Sequence, residues 1–81
     1  MKLSVNDTRK NLIGKQIREL RIAHKLTQYQ LAAKLQLQGY NFSELTILRI
    51  EKGKRLVTDI ELKILCTFFQ VDPNTLLDFH L

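Results

Sequence analysis

Leu26-Thr27-Gln28-Tyr29-Gln30-Leu31-Ala32 and, further on, Ile47-Leu48-Arg49-Ile50-Glu51-Lys52-Gly53-Lys54-Arg55 are the stretches whose reading decides the fold. In the first, Thr27 stands where a helix begins. Its hydroxyl can accept from the backbone amide three residues on, and Gln30 at that position can reach back to the Thr27 amide, which makes a capping box. Leu31, Ala32 and Leu35 then give this second helix its buried side, and Gly39 can close it in a left-handed turn. The other stretch ends a third helix, which Ser43 opens as N-cap and which runs to about Lys52 and stops at Gly53.

Helical spacing continues on both sides of this pair. Upstream, Ile13, Ile17, Leu20 and His24 step by four, three and four, drawing the stripe of a first helix over roughly residues 8–24. Downstream, Thr58-Asp59-Ile60-Glu61 is a second capping box. Behind it Ile60, Leu62, Ile64, Leu65, Phe68 and Phe69 predict a largely buried fourth helix, with Cys66 as a small core residue. Asp72-Pro73 opens a short fifth helix with Leu76 and Leu77 facing inward. Nothing alternates at period two, so the chain reads as all-α with five helices. One proline, three glycines and no repeat leave no linker, and residues 1–81 read as a single domain.

Composition limits what such a domain does. With 81 residues the chain supports one modest core, too small for a deep active site. No Ser/His/Asp set, carboxylate pair or glycine-rich phosphate loop is present, so an enzyme is not expected, nor a cofactor. The net charge is +5, unevenly spread: residues 1–55 carry +8 and residues 56–81 carry −3. A basic face and a polyanionic partner follow from that asymmetry. Cys66 alone excludes an internal disulfide, and with only His24 and His80 beside it offers no zinc set, so no metal is expected. No apolar run approaches the roughly 20 residues that span a bilayer, and Met1 to Lys10 lack the apolar middle of a signal peptide. A soluble, cytoplasmic protein beginning at its natural N-terminus is the expectation.

Taken together, Ile13 to Arg21, Leu26-Thr27-Gln28, Leu31-Ala32, Ile47, Ile50 to Arg55 and Val71 to Leu77 resemble the phage repressor and Cro family, also called Xre-like, over about residues 11–78. The resemblance implies a compact domain of the lambda-repressor-like DNA-binding type, with a helix-turn-helix formed by helices two and three. It implies a transcriptional regulator of double-stranded DNA, repression being the commoner role in the family. It also implies an ion pair between Arg21 and Glu51 joining the first helix to the end of the third. One departure is the connection Gln36 to Asn41, about five residues longer than the family's turn. A second helix ending at Gly39, with Phe42 plugged into the core beside Ile47, would accommodate it.

At roughly 100° per residue, Thr46, Ile47 and Ile50 share one arc of the third helix, while Glu44, Leu45, Leu48, Arg49 and Lys52 share the other. The second arc suits a major groove, where each base pair shows a distinct pattern of donors, acceptors and methyls. Arg49 matches guanine, Glu44 can accept from cytosine, and Leu45 and Leu48 suit thymine methyls. Phosphate contacts are expected from the helix N-termini at Gln28 and Ser43, from Tyr40 on the long connection, and from Lys52, Lys54 and Arg55. A homodimer on a two-fold site is expected, with Phe79, His80, Leu81 and exposed parts of helices four and five at its surface. The competing reading is a protein-interaction module using Leu45, Leu48 and the loop 36–42.

Overall fold

The computed structural model describes residues 8–77. Phe79, His80 and Leu81 therefore lie outside the described residues. Five helices follow in order: α1 (Gly14–Ala23), α2 (Gln28–Leu37), α3 (Glu44–Glu51), α4 (Asp59–Phe69) and α5 (Pro73–Leu77), with no strand among the described residues. Helix α3 packs on both α1 and α2, and α5 packs on α4. Ile17, Leu31, Leu35, Phe42, Ile47, Ile50, Leu65 and Leu76 fill the centre, and Ile13, Ala32, Cys66 and Phe69 complete the core.

The N-cap residues act as their sequence positions suggest. Thr27 and Thr58 each close a reciprocal capping box, with Gln30 and Glu61 respectively, and Ser43 Oγ accepts from the Thr46 amide. Two helices stop at a glycine. Gly39 and Gly53 take φ of +90° and +70°, and the next amides, Tyr40 and Lys54, bond back to the carbonyls of Leu35 and Arg49. Both are Schellman closures, for which a residue without Cβ carries no left-handed penalty. Helices α1 and α4 close with left-handed Lys25 and Gln70 instead.

Two expectations about the helices need correction. Helix α1 begins at Gly14, not near residue 8, because the segment before it is held in another conformation. Asn11 Oδ1 accepts from the amides of Ile13 and Gly14, while its Nδ2 donates to the carbonyls of Ile50 and Arg55. The lead-in is thereby tied to the end of α3, and a Lys10 amide bond to Gly53 O at 2.8 Å adds to it. Gly14 sits so close that a Cβ there would collide with the Ile50 carbonyl and the Arg9 guanidinium.

Ile60 is 70% exposed, not buried. It lies about 140° around α4 from Leu65, so the helix that buries one must present the other. His24, expected near the end of α1 as a structural or helix-capping residue, stands exposed at the helix C-cap. There its Nδ1 donates to the Leu20 carbonyl and its ring meets Phe69 edge-on at 5.1 Å.

Candidate nucleic-acid interface

Helix α3 has two sides. Ile47, Ile50 and Glu51 are buried, Thr46 and Leu48 are half-buried, and Glu44, Leu45, Arg49 and Lys52 are exposed. Leu48 thus departs from the exposed position expected for it. Arg49 has no ion-pair partner among the described residues. Its fork is open to an outside acceptor.

The connection before α3 is braced rather than loose. Gln36 Nε2 donates to the Phe42 carbonyl at 2.7 Å, Phe42 is buried, and the Tyr40 ring is half-buried against the core. Packing of Tyr40 leaves only part of its ring at the surface. Leu37, one turn earlier, is 87% exposed. At the end of this connection the Ser43 hydroxyl is occupied in capping α3, so any anion there would meet backbone amides.

Behind the presented side, Glu51 draws three elements together. Its carboxylate accepts from Arg21 Nε at 2.6 Å, Arg21 Nη2 at 3.0 Å and Gln28 Nε2 at 3.1 Å, and the residue is only 6% exposed. Arg21 also donates to the Leu26 carbonyl, so one guanidinium links α1, the turn and α3. The hydrogen bonds from Glu51 raise the Arg21 pKa above its ordinary value, with burial opposing. This arrangement turns the Gln28 carboxamide inward. What Gln28 offers an anion is its backbone amide at the start of α2.

In the turn after α3, Lys52 and Lys54 are exposed, but Arg55 is engaged. Its Nη1 and Nη2 donate to the two Glu61 oxygens, each at 2.8 Å. Sequence reasoning grouped Arg55 with the lysines and missed this pairing. Glu61 was legible only as the partner of Thr58. Asn11 was also missed, since nothing in its neighbours marks it as a clamp.

A family model described as helix-turn-helix matches residues 17–76. The chain belongs to the Xre-like helix-turn-helix family. Helices α2 and α3 are accordingly its helix-turn-helix pair, and the family is one of DNA-binding regulators of transcription, not of enzymes. No curated protein matches this helix-turn-helix chain, and no solved structure does either. Among the described residues no group of three or more His, Cys, Asp and Glu side chains could hold a metal ion. No helix there is long and apolar enough to cross a membrane.

Proposed function

We propose that this helix-turn-helix protein is a sequence-specific transcriptional repressor of the cytoplasm, binding double-stranded DNA as a homodimer and reading the major groove with α3. The observation that carries the reading is Arg49, exposed and without an ion-pair partner among the described residues, on the side of α3 opposite Ile47 and Ile50. Its planar fork suits guanine O6 and N7, with Glu44 and Leu45 beside it as the other base-facing groups. Lys52 and Lys54, together with the backbone amides at the starts of α2 and α3, would position the domain on phosphates. Two copies with their reading helices one DNA turn apart, about 34 to 36 Å, would explain how so small a reader gains affinity.

The test is selection from randomised duplex DNA at several salt concentrations. Recovery of a two-fold motif with strongly salt-dependent affinity is expected, and Arg49→Ala should cost roughly 1 to 3 kcal/mol at one base position while leaving helix content unchanged. Uniform loss across all bases would instead make Arg49 a phosphate contact.

The protein-interaction reading draws support from Leu37 and Leu45, exposed at either end of the long connection. It predicts weak binding without a recovered motif. A partner-binding surface that Leu37→Ser and Leu45→Ser together abolish would then favour it.

A further inference from the structure

We infer that Glu61 is an internal stand-in for a DNA phosphate, holding Arg55 and thereby setting the number of backbone contacts the domain makes. The inference rests on the DNA-binding reading above. Arg55 belongs by sequence to the basic turn of Lys52 and Lys54, the group expected to meet phosphates. Yet its Nη1 donates to Glu61 Oε1 and to the Leu56 carbonyl, and its Nη2 to Glu61 Oε2, each at 2.8 Å. A carboxylate in this geometry offers the guanidinium the same pair of acceptor oxygens that a phosphate does.

Glu61 is held independently of the arginine. Its Oε1 also accepts from the Thr58 amide at 3.0 Å, and its own amide donates to Thr58 Oγ1. The carboxylate is therefore fixed by the start of α4, while Arg55 reaches it from a turn. The pair is only partly buried, with side chains 35% and 18% exposed, so a phosphate can approach and compete. Neutralising Glu61 removes the competitor.

The experiment compares the wild-type chain with Glu61→Gln, Arg55→Gln with Glu61→Gln, and Asp59→Asn on one mixed-sequence 30-base-pair duplex across salt concentrations. Glutamine preserves the capping box, and circular dichroism verifies the fold. Asp59→Asn removes an exposed charge from the same helical turn without freeing an arginine.

Glu61→Gln should steepen the dependence of log affinity on log salt by about 0.9, one added phosphate contact, so that it loses about threefold more affinity than wild type between roughly 50 and 200 mM salt. The double variant and Asp59→Asn should both follow the wild-type slope. A double variant shallower than wild type by about 0.9 would mean that Arg55 already contacts phosphate, and would overturn the inference. So would an unchanged slope in Glu61→Gln, or equal steepening in Asp59→Asn. Wild-type binding that ignores salt would remove the DNA-binding reading itself, and this inference with it.

Discussion

The Glu61 carboxyl is held below the usual carboxylate range by the hydrogen bonds from Arg55 and from Thr58, with burial working against them. Its folded pKa lies below its unfolded one. The stability it contributes is therefore present above the unfolded value and is lost as pH falls through the folded value. Urea midpoints of wild type and Glu61→Gln should differ near neutral pH and converge as the solution is taken below about pH 4. A gap constant across that range would show that the charge contributes nothing. Cys66 is a second residue whose surroundings set its chemistry: burial first, and Asp72 after it, push its thiol pKa up. That fits the small core residue expected at this position.

Helix ends carry the next level of organisation. The side-chain caps Thr27, Ser43, Thr58 and Asp72 could be read from residue type and spacing because capping is local chemistry. The left-handed closures at Lys25 and Gln70 could not, since neither side chain favours that conformation. A left-handed non-glycine residue costs roughly 1 to 2 kcal/mol. Glycine lowers that cost but gives the unfolded chain more freedom, worth roughly 0.5 to 1 kcal/mol. The first effect wins, so Gln70→Gly should stabilise the protein by about 0.5 kcal/mol or more. Thermal unfolding measures this directly, and a lowered midpoint would show that the Gln70 side chain contributes more than its backbone costs.

For the molecule as a whole, the cluster of Arg21, Gln28 and Glu51 fixes how α2 and α3 stand relative to α1. Asn11 secures the other side of the α3 end. Since Glu51 is buried, removing Arg21 leaves a carboxylate with Gln28 as its remaining side-chain partner among the described residues. Arg21→Ala should cost about 3 kcal/mol, and Arg21→Ala with Glu51→Ala distinctly less than the sum of the two single losses. A double-mutant cycle in urea checks both, and additive losses would show that the pair is not coupled.

The sequence by itself determined the five helices, most of the core and the family, because periodicity, caps and glycine stops are written within a few residues of one another. It also placed Leu45 and Arg49 on the presented arc of α3. What only the tertiary structure decided are the contacts between distant segments. Asn11 holds the carbonyls of Ile50 and Arg55 and delays α1, Ile60 faces outward, and Gln28 turns in to Glu51. Arg55 shows why local reading stops short. Its residue type and its lysine neighbours mark it as a free cation, and only the folding of α4 beside the turn brings Glu61 to its guanidinium.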